Sequence, residues 1–272
     1  MTIKMQITFY WIAYFITFVI GYFFMYWIAQ KSFLAKFPNL QLALKTRLDD
    51  LALLVLLGLL VWGRIWYFVP LGWDYFLAHW VDLFKIWQGW MAFVGWAIGV
   101  TLWVLLFAKL NKLSFWEFLV LMDLIVLIVP VGIFLGRLGN FFNQEIVGVP
   151  VENLSLISKA LLEKFGLTYS YSWWGEGTRI NINFLEALGE GIFVGLILYW
   201  IFFKKYKTNP QPWMLTAIFL VVYGMVRFFL EFWKYYDFKI WGDLSLAQMF
   251  MIGFIIIGIL LYKFSSRYEK AS

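Results

Sequence analysis

Seven stretches of this chain stay apolar over the thickness of a bilayer's hydrocarbon core, which leaves few folds open. They run at about 7–29, 50–69, 88–108, 115–135, 184–203, 213–232 and 245–263. Each is near the ~20 residues that an α-helix needs to cross ~30 Å of hydrocarbon. Inside lipid, every backbone N–H and C=O must find a partner within the protein, so such runs are expected to be helices. Hydrophobic residues make up 63% of the chain, and mean hydropathy is +0.79. A soluble domain is usually about 45–50% apolar. The expected fold is therefore an all-α polytopic membrane protein with about seven transmembrane helices. Residues 1–272 read as a single membrane-embedded domain. The first run carries no small-residue cleavage site and is long for a signal-peptide core, so it is expected to be retained.

Charge orients the spans. Lys31, Lys36, Lys45 and Arg47 lie between the first and second runs, and Lys109 and Lys112 between the third and fourth. Lys204, Lys205 and Lys207 lie between the fifth and sixth, and Lys263, Arg267 and Lys270 follow the last. With seven spans all four groups fall on one side, which the positive-inside rule makes cytoplasmic. The N-terminus is then outside. Lys4 opposes this orientation and is outnumbered by the group after the first run.

The opposite side holds the longer connections. Residues 70–87 contain Trp73, Asp74, Tyr75, His79, Trp80 and Trp87, the composition of an interfacial helix with aromatic anchors. Residues 149–183 form the largest polar insertion and read as a small extracytoplasmic head. It contains an amphipathic segment, Leu154–Phe165, and a Gly/Ser/aromatic stretch, Tyr169–Thr178. Cysteine is absent, which excludes disulfides, thiolate metal sites and a cysteine nucleophile. His79 is the one histidine, so a multi-histidine metal site is excluded too. The net charge of +6 does not point to nucleic acid, because the basic residues fall mainly in short loops. No internal repeat supports an inverted-repeat transporter.

Ionisable residues inside the spans are the functional candidates. The fourth run ends in Gly136-Arg137-Leu138-Gly139-Asn140-Phe141-Phe142-Asn143-Gln144-Glu145-Ile146-Val147-Gly148. A buried arginine costs roughly 2.5–3.5 kcal/mol at a bilayer centre and less near an interface. If the helix continues past Gly136, then Arg137, Asn140 and Gln144 share one face, a cation and two amides suited to a phosphate oxygen. Gly136 and Gly139 would let another backbone or a lipid headgroup approach. The other reading is an interfacial arginine that snorkels to water, with glycines that serve helix packing. Arg64 and Asp123 lie inside the second and fourth runs. Glu186 and Glu190 are spaced i, i+4, as are Arg227 and Glu231. The last pair reads equally as a helix staple. Arg137, Arg227 and Arg64 lie toward the outer ends of their spans, where a phospholipid headgroup is the available anion.

The Gly136–Gly148 stretch resembles the signature of the prolipoprotein diacylglyceryl transferase family, G-R-[IL]-G-N-F-[IL]-N-x-E-x-x-G. Phe9-Tyr10 is similar to the family's Trp-Tyr, and Gly63-Arg64 to its Gly-Arg. Tyr75–His79 and Ile86–Gly89 resemble the loop before its third span. Glu186–Gly191 resembles E-A-L-x-E-G, Arg227–Phe232 resembles R-x-x-x-E-F, and Leu244–Gln248 resembles the start of its last span. Two motifs depart. Where the family reads M-S-F-H-G-G, this chain has Met91-Ala92-Phe93-Val94-Gly95-Trp96, so Val94 replaces a histidine. Where the family reads H-P-[ST]-Q-L-Y, the chain has Ile180–Leu185. His79 belongs to the preceding loop and does not stand in by position.

The resemblance implies a reaction. A diacylglyceryl group passes from phosphatidylglycerol to the lipobox cysteine of a prolipoprotein signal peptide, and glycerol phosphate leaves. It implies no cofactor and no metal. It implies membrane lipids as partners, no nucleic acid, and a multi-pass place in the bacterial cytoplasmic (inner) membrane with the active site facing the outer leaflet. On the matching positions, Arg137 and Arg227 would hold the phosphate and Glu231 would hold Arg227. Asn140 and Asn143 would orient headgroup oxygens, and Gly148 belongs to the same lipid-binding set. Tyr10 would hydrogen-bond the phosphate or relay a proton, and Glu145 would act as acid or base. With Val94 in place of the histidine, two alternatives stay open: an impaired homologue that binds anionic phospholipid, and a small membrane transporter.

Overall fold

The computed structural model describes residues 3–68, 73–84, 93–170, 177–235 and 244–271. In chain order the helices are α1 (Ile3–Ala29), α2 (Pro38–Thr46), α3 (Leu48–Phe68), α4 (Trp73–Ala78), α5 (Phe93–Leu110) and α6 (Phe115–Val126). After them come α7 (Val129–Asn143), α8 (Leu156–Lys164), α9 (Ile182–Glu186), α10 (Val194–Ile201), α11 (Met214–Leu230) and α12 (Leu246–Ala271). Two compact units are present, Met1–Phe18 with Ile125–Ser272, and Val19–Leu124.

Five helical runs among the described residues are long and apolar enough to cross a membrane: Phe9–Ala29, Phe115–Asn143, Ile182–Tyr206, Met214–Trp233 and Leu246–Ser266. They match the first and the fourth to seventh expected spans. The second corresponds to α3, which carries Asp49, Asp50 and Arg64. The third corresponds to α5, whose residues Gly95–Leu110 form a shorter apolar helix. Residues 85–92, which include the start of that expected span, lie outside the described residues, as do residues 69–72 at the end of the second expected span and the start of the loop after it. The chain is a multi-pass, essentially all-α membrane protein.

In the Val19–Leu124 unit, α3 and α5 pack through glycine. A Cβ on Gly58 would lie 2.9 Å from the Gly99 carbonyl, and one on Gly95 would strike the Trp62 carbonyl. Small residues bring helix backbones together where lipid supplies no hydrophobic drive between them. Glu117 closes two helix starts at once. Ser114 N–H donates to its Oε2 at 2.8 Å, and Glu117 N–H donates back to Ser114 Oγ at 3.3 Å, a capping box for α6. Its Oε1 accepts from Asn39 N–H at 2.9 Å and Leu40 N–H at 3.0 Å, which are orphan donors in the first turn of α2. Arg64 is buried and donates to the Asp82 carbonyl oxygen. His79 sits 3.1 Å by Nδ1 from the Tyr75 carbonyl, with its ring stacked on that of Tyr75.

In the other unit, Pro130 explains the break between α6 and α7, since proline lacks the N–H that would continue the ladder. The Leu127 carbonyl, freed by the break, accepts from Tyr199 OH at 2.9 Å. The Ile182–Tyr206 run contains two π-helical turns, Ala187–Phe193 and Phe202–Tyr206. A capping box of Ser245 and Gln248 opens α12: Ser245 N–H reaches Gln248 Oε1 at 2.9 Å, and Gln248 N–H reaches Ser245 Oγ at 3.2 Å. The 149–183 insertion folds as α8 followed by strands β1 (Thr168–Tyr169) and β2 (Arg179–Ile180), antiparallel with Thr168 opposite Ile180. Of the stretch expected as Tyr169–Thr178, residues 171–176 lie outside the described residues.

Candidate active site

The carboxyl end of α7 builds the first half of the site. The helix stops at Asn143, and Gln144 takes a left-handed conformation with φ of 55°. Gln144 therefore leaves the face expected for it beside Arg137 and Asn140. The turn brings Glu145 back over the helix end, where its N–H donates to the Asn140 carbonyl at 3.0 Å. Tyr10 OH donates to Glu145 Oε2 at 2.5 Å. Asn140 Nδ2 reaches Tyr10 OH at 2.5 Å and Glu145 Oε2 at 3.2 Å, and Asn143 Nδ2 reaches Glu145 Oε1 at 3.2 Å. Asn183 Nδ2 bonds the carbonyls of both Glu145 and Ile146 at 2.9 Å, which pins the turn to α9. Gly139 makes room for the tyrosine, since a Cβ there would meet two Tyr10 ring carbons at 3.0 Å. Gly136 meets no such neighbour.

One turn back on α7, Arg137 enters a cluster of six charges. Its Nε and Nη2 donate to Glu190 Oε2 at 3.2 and 3.0 Å, and its Nη1 pairs with Glu186 Oε2 at 3.2 Å. Arg227 donates to Glu186 Oε1, to Glu190 Oε1 at 2.9 Å, and from Nη2 pairs with Glu231 Oε2 at 3.4 Å. Lys234 Nζ lies 2.6 Å from Glu186 Oε1 and 3.3 Å from Glu231 Oε2. Ser245 Oγ donates to Glu231 Oε1 at 3.1 Å. Burial pulls the Lys234 ammonium below the ordinary lysine range, while Glu186 and Glu231 pull it the other way.

Three cations thus balance three carboxylates, and the two signs are not equally placed. The side chains of Glu186 and Glu190 are 0% exposed and those of Glu231 and Lys234 are 1% exposed, whereas Arg137 and Arg227 keep 15% and 13%. The accessible part of this neutral cluster therefore belongs to the side chains of the two arginines. Both halves of the site hang on the same two elements, α7 through Arg137 and Asn140, and α9 with its π-turn through Asn183, Glu186 and Glu190.

The prolipoprotein diacylglyceryl transferase family matches residues 1–264 of the chain. The chain belongs to that family. A phosphatidylglycerol–prolipoprotein diacylglyceryl transferase of Wolbachia pipientis wMel is 30% identical over 260 residues, covering 94% of this chain and 90% of its own. One from Hydrogenovibrio crunogenus is 32% identical over 244 residues, covering 88% and 85%. One from Aromatoleum aromaticum is 33% identical over 221 residues, covering 78% and 76%. Membership makes the chain a transferase of lipoprotein biosynthesis.

Within this family member, the sequence candidates fall into distinct places. Tyr10, Asn140, Asn143 and Glu145 form one hydrogen-bonded group, and Arg137, Arg227 and Glu231 belong to the ionic cluster. Gly148 touches neither group through a side chain. It pairs as a β-bridge with Lys234, and a Cβ there would lie 2.5 Å from the Ile180 carbonyl, so it serves close packing of the head. Arg64 and Val94 belong to the other unit, Val94 in the first turn of α5. Sequence reasoning counts Glu186 and Glu190 among the ionisable candidates without giving them a role, and does not single out Asn183 or Lys234. The i, i+4 spacing of Glu186 and Glu190 was the available signal; their cationic partners lie about 40–50 residues away and leave no local trace.

Proposed function

We propose that this chain moves a diacylglyceryl group from phosphatidylglycerol to the thiol of a lipobox cysteine in a prolipoprotein, at the outer leaflet of a bacterial cytoplasmic membrane. The observation that carries the reading is the pair Arg137 and Arg227, the members of the buried ionic cluster whose side chains keep accessible surface. The transferred carbon is a glyceryl methylene with little charge to recognise, and the group it leaves is a phosphate monoester. A site for this chemistry needs cations on the departing phosphate and a means to form a thiolate. The sulfur attacks the glyceryl carbon, an S–C bond forms, the C–O bond to phosphate breaks, and glycerol phosphate departs with the electron pair. Arg137 and Arg227 meet the phosphate oxygens with planar forked donors. Glu186, Glu190 and Glu231 aim the forks.

The proton side falls to the neighbouring group. Glu145 receives the thiol proton, directly or through Tyr10, whose hydroxyl already bonds its carboxylate. Asn140 and Asn143 hold that carboxylate and orient headgroup oxygens. Val94 supplies no base, so the thiolate on this chain depends on Glu145, Tyr10 and the bulk pH. Binding of labelled phosphatidylglycerol in nanodiscs tests the phosphate site. Arg137→Ala and Arg227→Ala are each expected to weaken binding by about tenfold or more. Binding equal to that of the unaltered protein would put the headgroup elsewhere.

A further inference from the structure

Helix α8 wears its apolar side outward. Leu156, Ile157, Ala160 and Leu161 recur at i, i+1, i+4 and i+5, and Phe165 follows at the cap. Leu156, Ile157, Leu161 and Phe165 are 86%, 75%, 51% and 67% exposed. The less exposed side, turned toward the rest of the head, carries Lys159 and Leu162. A helix on a soluble domain buries its apolar stripe against the core and shows its charges to water. Here the stripe has no protein beneath it among the described residues, and no residue of the helix is buried. The helix is nevertheless well terminated, with Ser155 accepting from Ser158 N–H at 3.3 Å.

The attachment of α8 says what lies against this side. Leu167 N–H donates to the Leu162 carbonyl at 2.8 Å, and the Leu167 carbonyl accepts from Asn181 N–H at 2.9 Å. Asn181 is the N-cap of α9 and accepts from Phe184 N–H at 3.2 Å, where the Ile182–Tyr206 span begins. The Tyr169 ring packs on Phe141, in the last turn of α7, with centroids 5.0 Å apart. The carboxyl end of α8 is thus tied through Leu167, by two hydrogen bonds, to the start of one membrane span, and the strand that follows makes a ring contact with the end of another. The nearest large apolar phase at that level is the bilayer.

We propose that α8 is a monolayer-anchoring helix, its Leu156/Ile157/Leu161/Phe165 side seated in the headgroup–acyl boundary of the leaflet where α7 ends and α9 begins. Lys164, in the last turn on the outward side, snorkels to lipid phosphates, and Lys159 adds a second positive charge against the single Glu163. The head is then held on the lipid surface beside the end of α7 that carries the site, a placement that holds whichever substrate the site takes.

The chain has no cysteine, so single labels can be placed without removing any. Ile157→Cys, Leu161→Cys and Glu163→Cys, each carrying a nitrobenzoxadiazole fluorophore, would be reconstituted in phosphatidylethanolamine–phosphatidylglycerol vesicles and titrated with a lipid doxyl-labelled near its headgroup. Quenching at 157 and 161 about twofold or more above that at 163 is the expected result. No quenching at any position would place α8 in water, and equal quenching at all three would deny that its apolar side faces the lipid; either result overturns the proposal. So would fluorescence at 157 and 161 that becomes apolar only on addition of a lipobox peptide, which would make the occupant a protein segment rather than lipid.

Discussion

Arg137 is the residue whose geometry makes the sharpest demand. It uses Nε, Nη1 and Nη2 on two buried carboxylates while a seventh of its side chain stays accessible. Lysine keeps the charge and loses the fork, so Arg137→Lys is expected to lower kcat/KM by about 100-fold with the protein still folded. Loss of less than about threefold in a single-turnover assay would remove the fork from the mechanism. Glu190 bridges both arginines, and its removal should act in the opposite sense on binding. Glu190→Gln leaves the cluster with one net positive charge, so KM for phosphatidylglycerol should fall. Thermal stability should fall as well, because breaking a buried pair costs about 3–5 kcal/mol. A raised KM would show that Glu190 positions the arginines more than it competes with the phosphate. The arginines were legible in the sequence because a charge beside an apolar run stands out. Their carboxylate partners were visible only as a spaced pair, since sequence carries no sign of a contact between α7 and the π-turn.

At the scale of elements, α7 and its terminal turn organise the proton side. Gly139 lies against the Tyr10 ring, so Gly139→Val should push the ring away from Asn140 and Glu145. Overpacking of this kind costs about 1–3 kcal/mol. Transfer is expected to fall by more than tenfold while phosphatidylglycerol binding is kept; loss of binding and transfer in parallel would mean that the change unfolds the site. The left-handed Gln144 ends the helix one residue short of the face drawn for it. Glycine or asparagine usually marks such a cap, and glutamine gives no warning of it. The π-turns were hidden for a related reason, because one extra residue in a turn changes neither the length nor the composition by which a stretch reads as helix. The apolar lengths themselves found every long helix among the described residues, and the amphipathic segment within 149–183 became α8 within two residues at its start and one at its end.

For the whole molecule, the expectation from the positive-inside pattern is that the N-terminus and residues 149–183 lie outside. Cysteines introduced at Glu152 and Lys205 of this cysteine-free chain should be labelled by an impermeant reagent from outside at 152 alone. Labelling at 205 with protection at 152 would reverse the orientation. The multi-pass helical organisation was readable from hydropathy; the packing within each unit was not, because it rests on glycine contacts and buried carboxylates that hydropathy does not weigh. Function turns on whether a chain with Val94 makes a thiolate. A free thiol has a pKa near 8.5, so a few per cent is ionised at about pH 7 and about three quarters at about pH 9. With the phosphate site intact, transfer should be slow at neutral pH and rise across that window, and Val94→His should raise the neutral rate. The decisive measurement is glycerol phosphate release and diacylglyceryl addition to a lipobox peptide by the purified protein, followed from about pH 7 to about pH 9. Slow transfer that climbs about tenfold or more with pH is the expected result; a protein that binds phosphatidylglycerol and transfers nothing at either end of the range would contradict it.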